Sequence, residues 1–117
     1  MIRDNLTHIF SLMKAYQNRE NPPRLVAVTK TVPVERMREA IGAGAKAIGE
    51  SRWQEAQAKF QKDPFTDIER HFIGTIQSNK IKPIVSHFHW IHSLCKVKHA
   101  RKIHNYGIPV KVLIEVN

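Results

Sequence analysis

The sequence predicts an α/β domain built as part of a TIM-type (β/α) barrel, on three observations. Short runs that read as strands begin near residues 24, 45, 70, 90 and 111. A stretch with helical spacing of apolar residues separates each run from the next, and serial βα repetition gives a parallel sheet. Polar residues close the runs, at Lys30, Glu50 with Ser51, Thr75 after Gly74, Ser93 and Asn117, and barrel proteins collect their chemistry at the C-terminal ends of their strands. An open doubly wound sheet would carry a Gly-rich phosphate loop after its first strand. That position holds Lys30-Thr31-Val32-Pro33 instead. Gly42 and Gly44 lie after a helix and before a strand, the reverse of the dinucleotide order, and read as helix capping.

The elements follow in order. Ile2, Leu6, Ile9, Phe10 and Met13 fall at helical spacing and predict an N-terminal amphipathic helix ending near Arg19, where Asn21-Pro22-Pro23 stops it. Arg24 to Thr29 is apolar on both faces, as expected of a covered parallel strand, and Lys30 ends it. Pro33 opens the next helix, with Val34, Met37 and Ile41 as its apolar stripe. A strand over 45–49 precedes a helix with Trp53, Ala56 and Phe60 on one side, broken by Asp63-Pro64. A strand over 70–73, a short helix over 79–85 and a strand over 90–93 come next. Then come a helix with Val97, Ala100 and Ile103 inward and a fifth strand over 111–116.

Length and composition bound the function. The 117 residues suit a single domain spanning the whole chain, and 42% hydrophobic with 25% charged residues is ordinary for a globular protein. A complete barrel has eight strands in about 250 residues, so five strands read as an unfinished one. No apolar run approaches the roughly 20 residues of a membrane helix, and Met1 to Asn5 lacks the layout of a secretory signal. Cys95, the single cysteine, has no disulfide partner and reads as a small buried apolar residue; a reducing, cytoplasmic setting is expected. The net charge of +9 attracts polyanions or phosphorylated ligands without choosing among them. The basic residues are scattered along every segment, which argues against nucleic-acid binding as the main function.

Chemistry is expected first at Lys30. On period 2 it shares a face with Val28 and Val26, so its amine points into the barrel mouth if the strand lines a barrel. A lysine ending an apolar strand either reaches water or is desolvated, the state an imine-forming amine needs. His71 shares a face with Ile73, as a hydrogen-bonding residue near the site or a satisfied core histidine. His87, His89 and His92 lack a carboxylate or cysteine pair at ligand spacing, so no metal is expected. Glu50 and Glu115 have the residue type of a general acid/base pair, but the sequence does not fix their separation, so no catalytic role is assigned to them.

Five segments carry a resemblance: Leu25 to Thr31; Gly49-Glu50-Ser51 with Gln54-Glu55; His71-Phe72-Ile73-Gly74-Thr75-Ile76-Gln77-Ser78-Asn79-Lys80; His92-Ser93; and Val112 to Asn117. In order and spacing they resemble the pyridoxal-phosphate homeostasis proteins, over nearly the whole chain. The resemblance implies a fold like the N-terminal barrel domain of alanine racemase, of which this chain carries the front half. It also implies pyridoxal 5'-phosphate (PLP) at the barrel mouth, held as an imine on Lys30, with Ser51, His71, Asn79 and Asn117 around the pocket. Ser51 stands where the family usually has Asn, and Cys95 follows Leu94 where an acidic residue is common. The family is regarded as holding the free cofactor pool in balance without established turnover, with PLP-dependent acceptor enzymes as partners. Two other readings remain at this point: a racemase-like enzyme, which needs a second base, and an inactive or split fragment. The latter would self-associate or need a complementary C-terminal half, because loops that hold phosphate in such barrels commonly follow strands seven and eight.

Overall fold

The computed structural model describes residues 1–17, 20 and 22–116. Five parallel strands alternate with helices after an N-terminal helix, as the sequence predicts. The helices are α1 (Ile2–Tyr16), α2 (Val34–Gly42), α3 (Trp53–Lys62), α4 (Ile81–His87) and α5 (Val97–Tyr106). The strands are β1 (Ala27–Val28), β2 (Ala47–Glu50), β3 (Glu69–Phe72), β4 (Trp90–Leu94) and β5 (Lys111–Ile114), and they pair in sequence order. A short 3-10 helix, Ser78–Lys80, leads into α4.

Register separates the two faces of the sheet. Val28, Gly49, His71, Trp90 and Lys111 are successive partners in one row. Ile48, Phe72 and Ile91 alternate with them and carry the core on the helix side. Phe72 and Ile91 pack with Trp53, Ala56, Ile84, Val85 and Ile103 from α3, α4 and α5 and with Phe88 just past α4. Met37, Ile48, Phe65 and Ile68 form a second cluster under α2. Fully burying one such large side chain contributes about 1.5–3 kcal/mol, so these two clusters hold the helices to the sheet.

Several expectations are corrected. The first strand is only two residues long, and Lys30 lies in a turn past it rather than ending it. The cause is local: the Thr29 carbonyl accepts from the Val32 N–H at 3.0 Å, which closes a tight turn. Val28 is 52% exposed, because β1 has a neighbour on one side only and its inner face is uncovered among the described residues. Val97 is exposed rather than inward; as the first residue of α5 it precedes the buried stripe, which runs through His99 and Ile103. Cys95 is exposed, since it sits in the loop leaving β4. The first helix ends at Tyr16, and Arg19 lies outside the described residues.

Candidate functional site

The turn after β1 presents Lys30 to solvent at the C-terminal end of the sheet. Lys30 occupies the second position of the Thr29–Val32 turn and Thr31 the third, with φ of 63°. A positive φ at that position normally calls for glycine, and a β-branched residue holds it only when its surroundings enforce it. The surroundings here are a buried charge cluster. The Lys59 ammonium on α3 donates to Glu50 Oε1 at 3.0 Å, Glu50 Oε2 at 2.9 Å and the Thr29 carbonyl at 2.7 Å. It also pairs with Glu55 Oε2 at 2.7 Å, which accepts the Thr31 N–H at 2.6 Å. The Thr29 hydroxyl closes on Glu50 Oε2.

Glu50 is fully buried and Lys59 nearly so. Glu50 and Glu115 do not form an acid/base pair: Glu50 faces the helix layer, whereas Glu115 is exposed past β5. Burial works to raise the Glu55 carboxyl, but hydrogen bonds from Lys59 and the Thr31 N–H together hold it below the usual carboxylate value.

The loops after β2 and β3 meet beside this turn's end of the sheet. A Cβ on Gly74 would lie 1.9 Å from the Ser51 carbonyl oxygen, so only glycine fits there. Ser93 donates to the Gly74 carbonyl at 2.5 Å and is buried, which gives it a structural role. A cavity of about 750 Å³ lies at the opposite end of the sheet's inner face, between α1 and the strand starts. A second, of about 540 Å³, lies at the C-terminal end, where Ser51, Arg52, Gln54, Thr75, Gln77 and Lys80 supply its polar wall. The larger is the more apolar; the smaller lies nearer the C-terminal ends, where barrel chemistry gathers, with Trp53, Phe72 and Ile84 of the helix side in its lining, and Lys30 lines neither.

The structure brings together some of the sequence-derived residues and separates others. Ser51 lines the smaller cavity. Asn79 is exposed on the 3-10 helix, which α5 anchors: the Ser78 hydroxyl meets His99 Nε2 at 3.0 Å, and Lys102 donates to the Ser78 carbonyl at 2.7 Å. His71 is buried in mid-strand and lines the larger cavity instead. Its Nε2 lies 2.7 Å from Glu69 Oε1 and its Nδ1 2.7 Å from His92 Nε2, and its ring stacks on Trp90. With the carboxylate accepting from Nε2–H, His71 Nδ1 accepts from His92. Asn117 lies outside the described residues. His87 Nδ1 faces the Pro83 carbonyl and His89 Nδ1 accepts from the Arg70 N–H, so these two do not converge with His92. Among the described residues no group of three or more His, Cys, Asp or Glu is placed to hold a metal ion. The residues missed from sequence are Glu55 and Lys59; their i,i+4 spacing is the pattern of a surface ion pair, and only the fold shows that it lies over Glu50.

Burial drives His71 and His99 below the ordinary imidazole value of 6.5, more strongly than Glu69 raises His71. A histidine held neutral in the fold binds its proton more readily when unfolded, so stability falls as pH drops. Melting temperature is therefore expected to decline once pH passes below 6.5, before the depressed carboxyls of Glu55 and Glu69 titrate below 4.5. A His99→Gln variant should flatten the upper part of that decline; a profile flat from pH 7 to 5 would contradict it.

Comparison with known proteins decides the family. The chain is 38% identical over 128 residues to the pyridoxal phosphate homeostasis protein of Vibrio alginolyticus, covering 99% of this chain and 55% of the relative. It is 41% identical over 97 residues to the protein of that name from Pseudomonas aeruginosa, covering 80% of this chain and 42% of the relative. This chain belongs to the pyridoxal phosphate homeostasis protein family. No family model matches it. Among solved structures, PipY of Synechococcus elongatus PCC7942 with PLP bound superposes with a TM-score of 0.84 at 32% identity. The overlap covers all of this chain and 55% of PipY. A protein from Bifidobacterium adolescentis gives 0.86 at 31% identity, over 99% of this chain and 55% of that one. The chain thus spans about half the length of the pyridoxal phosphate homeostasis proteins it matches.

Proposed function

We propose that this chain binds PLP through the Lys30 amine and serves the balance of the free cofactor in the cytoplasm, as a carrier without turnover. The observation that carries the reading is the position of Lys30. It is the one lysine presented by the turn that leaves β1 at the C-terminal end of the sheet, in a family whose relative PipY was solved with PLP. The residues fit the group. The amine is exposed, and a polar-walled cavity opens on the same end of the sheet, with Arg52 and Lys80 as cations and Ser51, Thr75 and Gln77 as hydrogen-bonding groups for an anionic ligand. PLP supplies an aldehyde that condenses with an amine with loss of water. The chain's part is to hold the amine in the open at the C-terminal end of the sheet, where the cavity's donors also lie. His71, on the inner face and bonded to Glu69 and His92, supports the sheet wall below Lys30 and is assigned no contact with the cofactor. Among the described residues no helix is long and apolar enough to cross a membrane.

Titration with PLP, followed by absorption, tests this reading. A band of the protein-bound imine is expected to grow with PLP in the parent chain and to be lost in Lys30→Ala. A band of undiminished amplitude in Lys30→Ala would remove Lys30 from the proposal.

A further inference from the structure

Lys30 has a strained turn under it and a buried charge cluster under the turn. The Thr29 carbonyl is held twice, by the Val32 N–H at 3.0 Å and by Lys59 Nζ at 2.7 Å. The Thr31 N–H is held by Glu55 Oε2 at 2.6 Å, with φ of 63° at Thr31. Lys30 is thus flanked on both sides by backbone groups tied to one ammonium and its two carboxylates. Lys59 and Glu50 are buried among the helix-side residues, while Glu55 is partly open to solvent, with 28% of its side chain exposed. Backbone strain of this kind persists only where the surroundings over-determine it, and it gathers at ligand-holding sites.

We propose that Glu55 is a positioning residue for Lys30: with Lys59 as the hub, it fixes the Thr29–Val32 turn so that the Lys30 amine is held out for attack on the cofactor's aldehyde. This inference rests on the reading of Lys30 as the attachment point. In the step it serves, Lys30 Nζ forms a C=N bond to the aldehyde carbon, the C=O bond breaks, and the oxygen leaves as water with the two amine protons. No oxidant or co-reactant is required. A turn held in one conformation lowers the ordering cost of that reaction, as preorganisation does for any binding group. Removing the tether leaves the amine chemically intact but less often in place.

Three variants of the chain test the inference. Each is titrated with PLP, reduced with borohydride and mapped for label on Lys30 and on Lys98, an exposed lysine of α5 far from the turn in sequence. Glu55→Ala removes the acceptor of the Thr31 N–H and is expected to lower the Lys30 equilibrium constant about tenfold, as loss of a hydrogen bond to a charged group does. Label on Lys98 should not change. Glu55→Gln keeps an uncharged acceptor and should fall between Glu55→Ala and the parent. Thr31→Gly relieves the positive φ, so its melting temperature should hold or rise while its Lys30 constant falls. A purely structural role would move stability and binding together, and Thr31→Gly separates them. If Glu55→Ala does not fold, the other two variants still decide. Parent-like Lys30 constants and Lys30-to-Lys98 ratios in the folded variants would overturn the inference. Equal labelling of Lys30 and Lys98 in the parent would instead overturn the Lys30 reading, and the inference with it.

Discussion

Replacing Lys59 with Met is expected to cost the fold about 3–5 kcal/mol, the range for leaving one member of a buried ion pair uncompensated. The substitution keeps the apolar stem but takes the ammonium from four acceptors at once, both oxygens of the fully buried Glu50 carboxylate, the Thr29 carbonyl and Glu55 Oε2. Among the described residues Glu50 Oε1 is left with no donor, Oε2 with the Thr29 hydroxyl alone and the Thr29 carbonyl with the Val32 N–H. Total stabilities of single domains are about 5–15 kcal/mol, so the loss is a large fraction of the whole. Urea denaturation is the measurement, with the slope watched for a change in the unfolded state. A double variant, Glu50→Gln with Lys59→Met, should recover much of the loss, since the carboxylate that needed a partner is gone and the Thr29 hydroxyl keeps an acceptor. If Lys59→Met alone unfolds within about 1 kcal/mol of the parent, the cluster is hydrated and the buried-pair account fails.

The 117-residue chain is also expected to associate with itself through β5. Leu113 is 46% exposed and Ile114 76%, and Val116 just beyond is 87% exposed. Among the described residues β5 pairs with β4 alone, so its other edge presents unpaired N–H and C=O groups. An exposed apolar edge is a template for pairing with another chain. Lys111 within the strand and the net charge of +9 oppose this, and their repulsion is screened by salt. Light scattering should therefore give a mass above the 13.5 kDa of one chain, rising with ionic strength, and Ile114→Lys should shift it toward the monomer. A monodisperse monomer at high salt would show that the edge is protected.

The order and type of elements were legible because a buried parallel strand and an amphipathic helix leave different periods in the sequence. The residue ranges around Phe72 and Ile91 differ from expectation by one position at most ends. The site was legible in part. Lys30 stands out as a charge closing an apolar run, but a composition pattern does not say that the chain turns before it; of the two readings of its amine left open, the one that reaches water holds. The residue type of Glu50 suggests chemistry without fixing its surroundings; its parity with Ile48 places it on the helix side, where Lys59 meets it. That meeting depends on how α3 lies across β2, which periodicity does not encode. Cys95 and Val97 were expected inside on residue type, yet they fall in the loop and first turn after β4, where chain direction overrides hydrophobicity. His71 was left between site and core, and its contacts with Glu69, His92 and Trp90 place it in the wall of the inner face.

The attachment of PLP to Lys30 is tested most directly by reducing the PLP-treated chain with borohydride, digesting it and mapping the label by mass spectrometry. The expected result is one dominant modified peptide carrying Lys30, at a PLP concentration where Lys46, Lys80 and Lys111 remain largely unmodified. Label spread over those lysines as readily as over Lys30 would contradict the account.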